Sequence, residues 1–165
     1  MTQALQASRV RGFTLIELMI VVALMTVLAT MAMPVYRDKM IRAQVSEGLE
    51  LATLASDGIE EFYRRTGEIP GDNRTAGLPA GDKIIGNYVS RIEVAGGAIN
   101  IVFGNRVHKD IRGRTLTLRP AVVEDEPRVP IAWVCGYAQP VPGMKVLGAN
   151  ETDLLRQELP IDCRI

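Results

Sequence analysis

The segment Phe13–Tyr36, FTLIELMIVVALMTVLATMAMPVY, decides the fold of this chain. Its 24 residues contain one side chain that is charged at neutral pH, Glu17, whereas the 129 residues that follow hold 18 of the 19 acids and 17 of the 19 bases. A helix that crosses a bilayer needs about 20 apolar residues, so this run is long enough to span a membrane. The chain therefore divides into an apolar N-terminal part and a remainder that has the composition of a soluble domain.

The composition of the whole chain excludes several classes of protein. With 165 residues, 47% hydrophobic and 23% charged, it has the composition of one ordinary folded domain. The formal net charge is zero, so no global charge favours nucleic acid. The one histidine, His108, and two cysteines form no metal-ligand pattern, and the sequence has no nucleophile elbow or phosphate-binding loop. We expect no enzymatic activity, no metal and no cofactor.

The residues before the apolar run predict its orientation. Met1–Gly12 contains Arg9 and Arg11 but no acid, and the positive-inside tendency keeps such a segment in the cytoplasm. A cleaved secretory signal has an apolar region of roughly 7 to 15 residues, which is shorter than this run. The sequence therefore favours a retained membrane span over a conventional cleaved signal.

Glu17 is the unusual residue of the apolar run. An acid in the middle of a membrane helix costs about 2.5 to 3.5 kcal/mol and is by default a candidate functional residue. Near the start of a helix the macrodipole favours negative charge, but that effect explains tolerance of the acid rather than a need for it.

After Pro34 the apolar residues occupy one side of the predicted helix. Arg64 and Arg65 suit its last turn, and Gly67 and Pro70 end it, so we predict a helix from Phe13 to Arg65 with a kink at Pro34. Its second half should pack on a domain through residues spaced by three or four: Val45, Leu49, Ala52, Ala55, Ile59 and Phe62.

The sequence of the remaining chain, residues 67–165, predicts an antiparallel sheet. Residues 67–86 are rich in glycine, proline and Asp/Asn and predict a long irregular connection. Short apolar runs separated by turn residues then predict four strands, which would cover the apolar face of the helix and give an α+β domain. The predicted strands are Asn87–Val94, Ala98–Phe103, Thr115–Arg119 and Ile131–Ala138, and Gly96-Gly97 is a candidate hairpin turn between the first two.

The two cysteines, Cys135 and Cys163, lie in the C-terminal fifth of the chain. A disulfide is the simplest interpretation if the domain lies outside the cytoplasm, and two buried free thiols are the alternative. In the chain-entropy description, a disulfide that closes a loop of about 29 residues adds about 3.6 kcal/mol to the free energy of unfolding.

A basic segment, residues 105–119, carries one acid, Asp110, against Arg106, His108, Lys109, Arg112, Arg114 and Arg119. It is a candidate DNA-backbone contact, although it has no aromatic residue that could stack on bases. A second interpretation is a contact between subunits through the acidic Glu124-Asp125-Glu126, and a third is simply solvated charge.

The N-terminal residues also carry a family resemblance. Arg11-Gly12 followed by FTLIEL, with the acid five residues after the glycine and Pro34 further along the helix, resembles a type IV prepilin of the IVa kind. The resemblance implies a leader of residues 1–12, cleavage between Gly12 and Phe13, and N-methylation of Phe13. It also implies that Glu17 pairs with the new amine of a neighbouring subunit and that the helix can melt near Pro34 during assembly.

The ending with Cys163 near the C-terminus is similar to the disulfide-bounded loop of the same family. The implied fold is a helix with a membrane-spanning or assembly half (residues 13–36) and an amphipathic half (37–66). A globular part (67–165) would contain the roughly four-stranded antiparallel sheet and the loop closed by Cys135 and Cys163.

The function implied by the resemblance is a structural one. The subunit would first be inserted in the inner membrane and then polymerise into a fimbria on the cell surface. The fimbria would serve adhesion and twitching motility, and DNA uptake is a further candidate role. Its partners would be other copies of itself, the prepilin peptidase and methyltransferase, and the assembly platform with its ATPases. The alternatives are a minor pilin or a type II secretion pseudopilin, and a membrane-anchored periplasmic binding domain unrelated beyond its anchor.

Overall fold

The computed structural model describes residues 12–124 and 126–165, except the side chains of residues 32–35. The chain separates into two compact units, Met1–Arg37 and Asp38–Ile165, which are described separately below. Of the expected leader, only Gly12 is among the described residues.

Helix α1 runs from Leu15 to Thr66. It begins two residues later than expected because Thr14 and Glu17 form a capping box: the Thr14 amide donates to Glu17 Oε2 (2.9 Å) and the Glu17 amide to Thr14 Oγ1 (3.3 Å). Helical structure continues through Pro34. Among the described residues, α1 is the one helix that is long and apolar enough to cross a membrane.

In the second unit, α1 packs one face into the core of the domain. Four of the six residues expected on this face are buried as predicted. Leu49 and Phe62 are only half-buried, and Tyr63 is buried instead of Phe62. The reason is geometric, since Tyr63 lies four residues after the fully buried Ile59 and thus on the same face. The buried residues of this face are Ile41, Gln44, Val45, Gly48, Ala52, Ala55, Ile59 and Tyr63.

The sheet is antiparallel, with the strand order β1-β2-β3-β4 and a short β5 that also pairs with β3. Gly96 and Gly97, at φ 56° and 84°, make the expected tight turn between β1 and β2. The strands are β1 (Val89–Ala95), β2 (Ala98–Phe103), β3 (Thr115–Val122), β4 (Ala132–Cys135) and β5 (Lys145–Val146).

Three of the four predicted strands have different bounds in the structure. Strand β1 starts at Val89, and β3 continues to Val122 because its extension pairs with both β4 and β5. Strand β4 stops at Cys135 because the next residues turn toward the C-terminal segment, where the Tyr137 amide donates to the Cys163 carbonyl (3.0 Å).

Every residue of β2 is buried, so both faces of the sheet are covered at this strand. Helix α1 covers one face, where Phe103 is fully buried and lies close to Gly48. The C-terminal segment lies across the other, since Glu151 hydrogen-bonds Asn100 of β2. This makes an α+β domain in which one long helix packs against an antiparallel sheet.

Candidate functional site

The first candidate site is the start of α1. Glu17 is exposed, and its Oε2 accepts hydrogen bonds from the Thr14 amide (2.9 Å) and from Thr14 Oγ1 (2.8 Å). The peptide bond between Gly12 and Phe13 lies just before the helix, and both residues are exposed and outside regular structure. The arrangement leaves that bond reachable by a peptidase and holds one carboxylate a single turn away from it.

Among the described residues of its own unit, nothing covers the apolar surface around Glu17. Residues 12–31 are all exposed, and Phe13 (86%) and Leu28 (67%) are examples of large side chains that face outward. A contiguous apolar surface of this extent requires lipid or another protein chain around it. The prediction of a kink or melting at Pro34 stays a prediction, because its side chain is not among those described.

The second candidate site is the C-terminal loop, which the Cys135–Cys163 disulfide closes with a Cα–Cα distance of 4.6 Å. The alternative of two free thiols is therefore wrong. Arginines also hold the loop: Arg42 Nε donates to the Gln157 carbonyl (3.0 Å), and Arg164 Nε donates to the Leu159 carbonyl (2.7 Å).

Sequence reasoning missed a buried polar cluster that attaches this loop to the sheet. Thr117 Oγ1 donates to Asn100 Oδ1 (2.8 Å) and accepts from the Glu151 amide (3.0 Å), while Asn100 Nδ2 donates to Glu151 Oε2 (3.0 Å). Thr117 is fully buried, and Asn100 is 4% exposed. The available signal was Asn100, a lone amide within the apolar run of β2.

Only part of the expected basic patch is exposed on the surface. Arg114 is half-buried and has a structural role, since its Nη1 donates to the Asp153 carbonyl (2.7 Å) and its Nε to the Asp110 carbonyl (3.1 Å). Arg106, Lys109 and Arg112 are exposed in the loop between β2 and β3.

The acidic segment Glu124-Asp125-Glu126 was expected to bind the basic patch of another subunit, but one of its residues forms an ion pair within the chain. Glu124 Oε1 lies 2.6 Å from Lys145 Nζ, and this hydrogen-bonded ion pair lowers the pKa of Glu124. Asp125 lies outside the described residues. Among the described residues, no group of three or more His, Cys, Asp or Glu could hold a metal ion.

Comparison with known proteins covers both ends of the chain. Residues 7–33 match the prokaryotic N-terminal methylation motif, and residues 41–164 match the pilin family of bacterial filaments. The second match extends through the globular part, so the interpretation that the likeness stops at the anchor is wrong.

Relatives in Neisseria cover most of the chain. A fimbrial protein of Neisseria meningitidis serogroup B is 39% identical over 86% of this chain and 80% of its own length. The type IV major pilin proteins PilE and PilE1 of Neisseria gonorrhoeae are 39% and 36% identical, over 79% and 93% of this chain and 75% and 87% of their own lengths. With a long N-terminal helix on an antiparallel sheet and a disulfide-closed C-terminal loop, this chain belongs to the type IV pilin family and is a structural subunit of a pilus.

Proposed function

We propose that this chain is the major subunit of its pilus, made as an inner-membrane precursor and then polymerised into a surface fibre. The observation that carries the proposal is the apolar first part of α1, where every described side chain from Leu15 to Met31 is exposed and Glu17 is the single charged one. Lipid would cover this surface before assembly, and the same segment of other subunits would cover it in the fibre.

Processing follows from the same site. A peptidase of the prepilin type would remove residues 1–12, and methylation would follow at the new Phe13 amine. That amine is a cation in an apolar phase, and a buried charge is tolerated only when it is paired. Glu17 of an adjacent subunit would supply the partner, and the pairing would set the axial register of the incoming subunit.

We propose for this chain the domain boundaries expected from its sequence. Residues 1–12 are the leader, 13–36 the membrane and assembly segment, 37–66 the amphipathic half of the helix, and 67–165 the globular part. Adhesion and twitching motility are the proposed roles of the fibre, and the assembly platform and its ATPases are the proposed partners.

The test is intact mass and N-terminal sequencing of protein sheared from the cell surface, for the wild type and Glu17→Ala. We expect a wild-type chain that begins with methylated Phe13, and a variant that is cleaved in the membrane but absent from the sheared fraction. Glu47→Ala, which changes an acid in the second unit, is the matched control and should still assemble. A surface chain that begins at Met1, or fibres of normal abundance from Glu17→Ala, would contradict the proposal.

A further inference from the structure

The end of the second unit that follows the apolar segment carries the exposed bases. The β2–β3 loop is fixed there, because the His108 amide donates to Gln44 Oε1 (2.9 Å) on a buried face of α1. Gln44 lies six residues after Asp38, about 9 Å along a helix. The loop therefore presents its exposed bases close to the point where the second unit begins.

The C-terminal segment reaches the same end. Arg42 Nε binds the Gln157 carbonyl (3.0 Å), and the Arg156 guanidinium binds the carbonyl of Arg164. Two exposed aliphatic side chains, Leu155 (50% exposed) and Ile165 (77%), belong to the segment that these contacts attach to Arg42 of α1.

Several acids near this end are held by contacts within the chain and keep their negative charge. Asp110 lies 3.6 Å from His108 Nδ1, and Asp153 Oδ1 accepts from the Thr115 amide (2.6 Å). Glu158 is buried and accepts from the Leu155 amide (2.9 Å). Asp38 also lies here and offsets part of the charge, while Arg106, Lys109 and Arg112 are exposed in the loop.

We propose that this surface, comprising Arg42, Arg106, Lys109, Arg112, Leu155 and Ile165, binds an anionic lipid bilayer while the subunit is still inserted. The inference rests on the proposed membrane-inserted precursor. Exposed aliphatic side chains beside basic ones match the headgroup and acyl boundary of a bilayer. A DNA backbone would use the charges but not the aliphatic side chains, which favours lipid as the ligand.

The consequence is a second membrane contact in addition to the helix. It would hold the globular part against the bilayer until extraction, and polymerisation would have to break it. Because the contact is electrostatic in part, salt should weaken it.

The experiment uses the full chain in nanodiscs of phosphatidylcholine alone or of an equimolar mixture with phosphatidylglycerol. Acetylation of Lys109 by a water-soluble reagent is followed by mass spectrometry. Lys145 is the internal control, because it is exposed and belongs to β5, where it pairs with Val122 at the other end of the sheet from the β2–β3 loop. We expect anionic lipid to slow acetylation of Lys109 about threefold or more and to leave Lys145 unchanged.

Two further measurements test whether positive charge on this surface causes the protection of Lys109. At about 1 M salt, where the Debye length is about 3 Å, most of the protection of Lys109 should disappear. The double variant Arg106→Gln/Arg112→Gln should lose most of the protection, whereas Arg64→Gln/Arg65→Gln, which removes two bases at the far end of α1, should keep it.

The outcomes separate this inference from the proposed function. Co-elution of the chain with the nanodisc reports insertion of the helix, and failure there contradicts the membrane-inserted precursor itself. Co-elution with equal acetylation of Lys109 in both lipid compositions overturns the lipid contact alone. Protection of Lys109 by duplex DNA but not by anionic lipid would also overturn it and assign the bases to nucleic acid.

Discussion

The indole nitrogen of Trp133 donates a hydrogen bond of 2.8 Å to Glu60 Oε1 and thereby joins β4 to α1. Trp133 is half-buried and packs against the core, so the apolar body of its ring faces the domain while the nitrogen reaches a helix carboxylate. It is also the single tryptophan of the chain, which makes its fluorescence a specific reporter of the contact between helix and sheet.

Glu60→Ala should lower the free energy of unfolding by about 1 to 2 kcal/mol, because the half-buried indole N–H loses its charged acceptor. Glu60→Gln keeps an acceptor oxygen and should lose less. Urea unfolding of the full chain in detergent, followed by Trp133 fluorescence, measures both variants. Glu61→Ala, at an exposed position next to it, is the control. Equal stability of Glu60→Ala and Glu61→Ala would contradict the assigned role.

Removing the disulfide with Cys135→Ala/Cys163→Ala should lower the free energy of unfolding by about 3.6 kcal/mol, which is the chain-entropy value for a loop of this length. The hydrogen bond from Arg42 of α1 to the Gln157 carbonyl does not depend on the disulfide, so the folded variant should keep its C-terminal loop docked. Urea unfolding gives the stability, and limited proteolysis reports docking. Rapid cleavage of residues 150–165 in the folded variant would contradict the role of the Arg42 contact.

Thr117→Val should destabilise the domain by about 2 to 3 kcal/mol, because it leaves the Glu151 amide and Asn100 Oδ1 without their partner. Thr117→Ser retains the hydroxyl and removes only a methyl group, so it should cost less. Comparing the two variants therefore separates the loss of the hydrogen bonds from the loss of side-chain volume. If Thr117→Ser were the less stable of the two by urea unfolding, packing rather than hydrogen bonding would dominate at this position.

Asp72 makes stability depend on pH in the acid range. Its Oδ1 accepts a hydrogen bond of 2.7 Å from the Thr75 amide, and this bond lowers the pKa of Asp72 below its ordinary value of 3.8. A lowered pKa in the folded state means that the contribution to stability is present above the ordinary value and is lost as pH falls below it.

We therefore expect Asp72→Asn to be less stable than the wild type at pH 6, with the difference shrinking toward pH 3. Urea midpoints measured at both pH values test this expectation, and Glu61→Gln serves as an exposed acid for comparison. A difference between wild type and Asp72→Asn that grows as pH falls would contradict the assigned sign.

Much of the fold could be predicted because its signals are local. The apolar run that starts at Phe13, the three-and-four spacing from Val45 to Ile59, and Gly67 after the helix each act over a few residues. The Gly96-Gly97 turn likewise requires only the backbone freedom of two adjacent glycines. Cysteine content alone left the disulfide and the free thiols open, since spacing in sequence says nothing about distance in space.

The structure corrected the predictions where a residue's role depends on a distant partner. Arg114 belongs to a basic run in sequence, but the fold brings Asp153 to it and removes it from the exposed patch. Strand β5 has two residues and shows no periodicity, so only its pairing with Ala121 and Val122 reveals it. Trp133 and Glu60 are separated by 73 residues, and no local pattern could join them.

The sequence by itself determined that the chain has a long helix, an apolar exposed first part with one acid, and a sheet that covers the second part. Those features follow from the composition and period of short segments, which fix local backbone conformation and the side of an element that avoids water. The tertiary structure alone decided that Thr117 and Asn100 attach the C-terminal loop, that Tyr63 replaces Phe62 in the core, and which arginines remain exposed. These outcomes depend on long-range packing and on the partners that buried polar groups require, and neither is encoded by neighbouring residues.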